Sequence, residues 1–411
     1  MTSTAISFKS DHCSAAKVTP IRSRSGRILL LSTNLGIGGG AEEQVQQLAL
    51  SLKTRGWTVG VISMLPFKTL PQELSAANIN IGTLNMKRGV ADPRSVMQLA
   101  RIIRRFRPDV VHSHMTHANL LARVTRPFAP VPAMISTLHG SKMHSVKGGS
   151  TRMREIGHRI TDRWTDVTTT ICGAAAESCI QDGAVPADRV MVLHNGVDTE
   201  RYQPRPEVRE DMRRALGVAG KLVWLAVGRF ELPKNYALMI RAFSFALQHS
   251  RRDMVLLICG AGSMQPKVEA QVRELGLEGH VRFLGIRRDI PQVMNAADAY
   301  VLSSDTEGLP MVLLQASASA LPIVATNVGG NAEVVQHNRT GFLVPKGDTM
   351  ALADAIERTS GLNAFDRSRL GGAGRQFTHE NFGIDQIVDQ WEALYQKLRS
   401  RNTKSQRNQN A

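Results

Sequence analysis

Along the chain, short runs of consecutive apolar residues alternate with longer stretches in which apolar side chains recur every three or four positions. The runs read as strands buried on both faces and the periodic stretches as amphipathic helices, so their alternation predicts doubly wound parallel sheets. From residue 27, RILLLST predicts a first strand, NLGIGGG a loop, and 41–55 a helix closed by Gly56, where a C-cap glycine stands. TVGVISM is a second strand, a shorter unit ends in IGTL, and a helix over 94–107 stops before Pro108. DVVHSH, AMISTLHG, DVTTTIC and RVMVLHNGVD supply further strands, each ending in polar residues or glycine. Ligands of open α/β sheets collect at such carboxyl ends.

After Tyr202 the stretch QPRPEVRED is dense in proline and charge and reads as a domain border. The strand–helix rhythm then restarts with KLVWLAVGRF, a helix over 235–248, MVLLICGAGS, a helix over 264–275, HVRFLG and a short helix near Asp289. The run 299–302, the stretch DTEGLPMVLLQAS at 305–317, PIVATNVGG and FLVP complete it. The expected organisation is a basic tail at 1–25, an α/β domain at 26–202, a second at 203–380, a closing helix at 381–399 and a basic tail at 400–411. Both tails are polar, without a periodic apolar face, and read as disordered.

With 411 residues, the chain is long enough for two ordinary domains. No window offers the eighteen or so uninterrupted apolar residues of a membrane span. The first 25 residues lack the apolar core of a secretion signal. Lys plus Arg number 51 against 35 Asp plus Glu, a net charge of +16 that points to anionic partners: phosphorylated substrates, anionic lipid or nucleic acid. Nucleic acid is disfavoured because no aromatic platform or binding motif accompanies the charge. Cys13, Cys172, Cys179 and Cys259 show no C-x-x-C spacing and read as reduced thiols of a cytosolic protein, with neither disulfide framework nor zinc site.

The chemistry concentrates at 305–317. An apolar run ends in Ser303 and Ser304, Glu307 stands beside Gly308, and Pro310 sits where a helix would begin. Such a helix start gathers unpaired amides and the positive dipole end, which suit a phosphate, while an acidic side chain beside it suits hydroxyls. A sugar phosphate or nucleotide combines both. In the same domain Gly228-Arg229 ends a strand and Lys234 follows before the next helix, so two cations could hold a diphosphate from two sides. In the first domain Gly36, Gly38, Gly39 and Gly40 lie between a strand and a helix, without the spacing of a dinucleotide fold or a P-loop.

Taken in order, GRF with LPKN, CGAGS, VRFLG, SSDTEGLPMVLLQASASALPIVATNVGG and GFLV resemble the donor-binding half of retaining GT-B glycosyltransferases of glycosyltransferase family 4. GGGAEEQV, DVVHSHM, STLHG and HNGVD resemble that family's acceptor-side half. The resemblance implies two Rossmann-like domains facing a central cleft, with the C-terminal helix packing back toward the N-terminal domain. It further implies that Arg229 and Lys234 bind the donor diphosphate and that Glu307 holds hydroxyls of the transferred sugar. Amides of Gly308, Leu309, Pro310, Met311, Val312 and Leu313 are implied to face phosphate and sugar, although Pro310 itself has no N–H. His139 is implied to lie opposite, near donor sugar and acceptor, and Gly38 to Gly40 to approach the phosphate. Glu333 matches a further acidic position of the family.

One position departs from the family: the second glutamate of its Glu-x7-Glu pattern is Gln315 here. The usual carboxylate is implied to accept from ribose hydroxyls, and an amide carbonyl does so without charge assistance, at a cost of about 1 kcal/mol. Gln315→Glu is therefore expected to change donor affinity or nucleotide preference.

His112, His114 and His117 cluster, but no Asp or Cys completes a metal site locally; strand alternation puts His112 and His114 on one face, and cleft or core packing is expected. Lys142, Lys147, Arg152, Arg154, Arg159 and Arg163, with His144 and His158 interleaved, and Arg101, Arg104, Arg105 and Arg107 form a basic set in the first domain. They favour an anionic membrane or a lipid-diphosphate acceptor. The expectation is a cytosolic enzyme, peripheral at the inner face of the plasma membrane. It would transfer a hexose or N-acetylhexosamine from a nucleotide sugar, UDP-sugar before GDP-mannose, to a glycan or polyprenyl-diphosphate-linked acceptor, with retention and no metal or other cofactor. A sugar-nucleotide epimerase, a phosphorylase, and a binding protein without turnover are the rivals.

Overall fold

The computed structural model describes residues 26–409 apart from 37, 38, 68, 91 and 141–149; for 150–155 and 402–409 it describes the backbone only. Gly38, Cys13, Lys142, His144, Lys147 and the N-terminal tail therefore lie outside the described residues, as do the side chains of Arg152 and Arg154.

Seven parallel strands form the first sheet: β1 (Arg27–Ser32), β2 (Thr58–Ser63), β3 (Asn80–Thr83), β4 (Val110–His114), β5 (Ala133–Leu138), β6 (Val167–Thr170) and β7 (Val190–Val192). Their order is β3-β2-β1-β4-β5-β6-β7. Six more form the second: β8 (Leu222–Val227), β9 (Met254–Cys259), β10 (Val281–Gly285), β11 (Ala299–Leu302), β12 (Ile323–Thr326) and β13 (Gly341–Val344), in the order β10-β9-β8-β11-β12-β13. Both sheets are doubly wound, and the strand order reverses between β1 and β4 and between β8 and β11. Those switch points are where such folds place their ligands.

Side-chain alternation explains why central strands read as unbroken apolar runs. In β1, Ile28 and Leu30 enter the core on one face of the sheet, while Leu29 and Leu31 enter the core on the other. In β8, Val223 and Leu225 likewise oppose Leu222 and Trp224. One core is shared: Ile171, Cys172, Ala175, Val197 and Tyr202 of the first half cluster with Leu309, Met311 and Leu313 of the second.

The expected border after Tyr202 is largely helical. The helix Pro206–Ala215 begins within it, with proline at its start, Glu207 in its first turn and Arg213 and Arg214 in its last. Its charge is structural as well, because Arg209 and Arg213 both bond the Asp298 carboxylate, at 2.6 and 3.0 Å. The final helix, Ile384–Gln409, runs through the stretch expected to be a disordered tail. It lays Ile387, Val388, Trp391, Leu394, Tyr395 and Leu398 into the core of the first domain, beside Ile28, Leu30 and Trp57. Trp57 Nε1 donates to Glu392 at 2.6 Å, and Arg55 reaches Asp385, Asp389 and Glu392.

His158, expected among surface cations, is buried instead. It lies against the fully buried Arg123, whose guanidinium also donates to Ser136 Oγ at 3.0 Å and Thr168 Oγ1 at 2.7 Å and lies 3.8 Å from Asp162. Cys172, Cys179 and Cys259 are buried free thiols, each pushed up by burial.

Candidate active site

Loops after β8 and β11 are strapped together, which fixes the charged groups they carry. Asn235 adopts a left-handed conformation, φ 44°, between a short turn and the helix Tyr236–His249. Its side-chain oxygen accepts from Leu238 N at 3.2 Å and its amide donates to Asp305 at 3.1 Å, so one residue caps the helix and grips the opposite loop. Ser303 Oγ donates to the carbonyls of Lys234 and Asn235, and Asp305 N donates to Pro233 O at 2.8 Å. On this frame Lys234 Nζ meets Glu307 Oε1 at 2.5 Å, and Ser304 Oγ donates to the same oxygen at 2.6 Å. Both side chains are mostly buried, 20% and 10% exposed.

Arg229, just past Gly228 at the end of β8, is exposed, and its guanidinium makes no hydrogen bond or ion pair among the described residues. The structure thus brings Lys234 and Glu307 into contact and leaves Arg229 free on the same loop. Pro310 precedes the helix Met311–Ala318 in an extended conformation. The amide of Leu313, expected to face the donor, already donates to the Pro310 carbonyl at 3.0 Å.

From the first domain, the end of β5 comes up to this loop at Gly308. A Cβ there would lie 2.8 Å from the His139 carbonyl oxygen, so only glycine permits the approach. The His139 ring is 3.1 Å, Nε2 to Nδ1, from His114, whose ring lies tilted with its centroid 4.0 Å from that of His112. His112 is held by Tyr395 Oη at 2.8 Å and Thr137 Oγ1 at 2.7 Å, which places it in the core; His114 and His112 share a face as strand alternation requires. No group of metal-ligating side chains is found among the described residues. His114 Nε2 and His139 Nδ1 are buried and have no hydrogen-bond partner among the described residues.

Burial pushes His139 down to about 4 and His158 to about 3, and holds His112 and His114 well below the ordinary imidazole value. All four rings are neutral at pH 7. In the unfolded chain they take up protons below their ordinary value of 6.5, whereas the folded protein resists until lower pH. The unfolded state binds more protons in that window, so stability is full above it and falls with acidification. The melting temperature is expected to drop from pH 6.5 toward about 4. Calorimetry over a pH series tests this, and a flat profile through the window would contradict neutral burial of these rings.

Further contacts cross between the halves. The helix Gly40–Thr54 meets the helix Met311–Ala318: a Cβ on Gly40 would lie 3.0 Å from Met311 Cγ, and one turn on, Gln315 Nε2 donates to Glu43 Oε1 at 2.8 Å. Glu333 accepts from Gly173 N at 2.9 Å and pairs with His194 Nε2 at 2.7 Å. Sequence reasoning assigned no role to Glu43, Asn235, Asp305 or His194. Glu43 and His194 stood inside GGGAEEQV and HNGVD, but a partner more than a hundred residues away leaves no local signal.

Two family models match in tandem: Glycosyltransferase Family 4 over residues 38–201 and Glycosyl transferases group 1 over 208–377. Among curated proteins, the chain is 27% identical over 282 residues to the UDP-Gal:alpha-D-GlcNAc-diphosphoundecaprenol alpha-1,3-galactosyltransferase of Escherichia coli, covering 66% of this chain and 71% of that protein. It is 28% identical over 257 residues to a GDP-mannose-dependent phosphatidylinositol monomannoside mannosyltransferase of Mycobacterium tuberculosis, covering 60% and 63%. Among solved structures, Anabaena HepE in complex with UDP and glucose superposes with a TM-score of 0.79 at 22% identity, covering 90% of this chain and all of that one. With two parallel-sheet Rossmann-like domains, and both halves matched by these models, the chain belongs to the GT-B glycosyltransferases of family 4.

Proposed function

We propose that this glycosyltransferase moves a hexose or N-acetylhexosamine from a UDP-sugar to a lipid-linked glycan, in surface polysaccharide synthesis and with retention at the anomeric carbon. The observation that carries this reading is the strapped pair of loops that sets Lys234, Glu307 and Arg229 at the switch point of the second sheet, opposite His139. Fixed cations there stabilise a departing nucleoside diphosphate, a role a metal ion plays elsewhere. As the bond from the anomeric carbon to the phosphate oxygen breaks, the acceptor oxygen bonds the same face of that carbon and its proton passes to the leaving phosphate. Glu307 and neutral His139 position hydroxyls and need not attack. The galactosyltransferase relative supports UDP and a diphosphate-linked acceptor; the mannosyltransferase relative keeps GDP-mannose as the second donor.

An anionic membrane as the working surface has support from the first domain. The helices Arg94–Phe106, Thr116–Thr125 and Ser150–Thr161 pack side by side. They and the turn after the second expose Met97, Phe128, Ile156 and Ile160 together with Arg101, Arg104, Arg105 and Arg159. Apolar side chains among cations suit a lipid interface. No helix among the described residues is long and apolar enough to cross a membrane.

A donor panel read as UDP or GDP release, with and without bacterial lipid extract and with and without chelator, tests the proposal. UDP release that requires the lipid fraction and survives chelation is expected. Activity with GDP-mannose alone would overturn the donor, acceptor-independent conversion of the sugar nucleotide would indicate an epimerase, and phosphate dependence a phosphorylase.

A further inference from the structure

We infer that Gln315 is a positioning residue that latches the two domains together through Glu43, and that the departure from the family's glutamate serves this latch. This rests on the donor site proposed above.

The helices Gly40–Thr54 and Met311–Ala318 face each other with successive turns matched. Gly40 abuts Met311 in the first turn of each, and Glu43 takes the Gln315 amide in the next. These first turns are the ones read as approaching the donor phosphate, so the Gln315–Glu43 bond sets the spacing of the walls there. Gln315 is 3% exposed and Glu43 half-buried, so water competes poorly for the bond. The remaining groups around Glu43 are Gln47 on its own helix at 3.4 Å, Arg201 and Tyr202 after β7, and Glu73 on the helix Gln72–Ala76. Arg201 is the one cation of this set, and it lies 3.7 Å from Glu73.

A glutamate at 315 would bring a second carboxylate against Glu43, and the two like charges repel until acid supplies one proton for the pair to share. A glutamine donates where a glutamate cannot. The substitution thus converts a repulsive contact into a hydrogen bond and couples domain approach to the donor pocket. The ribose-acceptor role implied for this position makes the opposite forecast, that restoring the carboxylate strengthens nucleotide binding.

The test is UDP affinity by calorimetry for wild type, Gln315→Glu, Glu43→Ala and the exchanged pair, which combines Gln315→Glu with Glu43→Gln. Gln315→Glu is expected to weaken UDP about tenfold at pH 8 and to recover toward pH 5, where the carboxylate pair shares a proton. Exchanging both residues restores one donor and one carboxylate, so the pair is expected within about threefold of wild type. Glu43→Ala gives the same weakening without recovery in acid, and serves if Gln315→Glu does not fold. Gln315→Glu binding as tightly as wild type or tighter, or an exchanged pair no better than Gln315→Glu alone, would overturn the latch. Small-angle scattering of the unliganded proteins separates the two readings. If wild type binds no UDP the donor proposal fails, while a larger radius for Gln315→Glu than for wild type and the exchanged pair still supports the latch, and equal radii overturn it.

Discussion

Lys234→Ala is expected to lower kcat/KM about 10²–10³-fold, the loss that follows removal of one fixed group from a developing negative charge in a water-poor site. The lysine does two things at once. It presents a cation at the carboxyl edge of β8, and it neutralises Glu307, whose side chain is 10% exposed. Without it, Glu307 keeps only Ser304 as a donor on that oxygen among the described residues and carries an uncompensated charge toward the sugar site. Turnover with saturating donor, read as nucleotide release, is the measurement. A fall in kcat, with KM little changed, is expected because the charge on the diphosphate grows as it departs. Activity within about threefold of wild type would remove Lys234 from the reaction.

Arg123→Ala is expected to destabilise the first domain by about 3–5 kcal/mol. Its guanidinium has no exposed surface and supplies the donors to Ser136, Thr168 and the His158 carbonyl. Truncation removes those donors, leaving Ser136 Oγ with only its long contacts to Ser113 and Thr165 and the His158 carbonyl with Thr161 at 3.4 Å, and opens a cavity of guanidinium size between β5, β6 and the helices above them. Asp162 retains Arg189 at 2.8 Å, which keeps the loss within that range. Denaturant unfolding followed by Trp57 and Trp164 fluorescence reads it, and a midpoint unchanged from wild type would show the network to be dispensable.

The two sheets were legible because parallel strands buried on both faces leave unbroken apolar runs such as RILLLS and MVLLIC, and each run ends where its strand does. Glu307, Lys234 and Arg229 were legible for a related reason: each stands within a few residues of a strand end or a helix start. The helix Pro206–Ala215 was not legible within the border after Tyr202, because proline and charge there mask it while the partner that orders it, Asp298, lies some eighty residues on. His158 was placed on the surface by the cations around it in sequence, yet it faces Arg123, which sequence proximity does not reveal. Gln315 was read for its lost charge alone. What the amide gained, a bond to Glu43 across 272 positions, is visible only when the two helices are brought face to face.

The helix Ile384–Gln409 belongs by sequence to the end of the chain and by packing to its beginning. During synthesis the first domain emerges with Trp57 and His112 facing a groove whose cover, Trp391 and Tyr395, has yet to be translated. Translation must pass residue 398 before the first core can close. Premature termination near residue 380 would therefore release a protein defective in its opening half, with its second sheet intact.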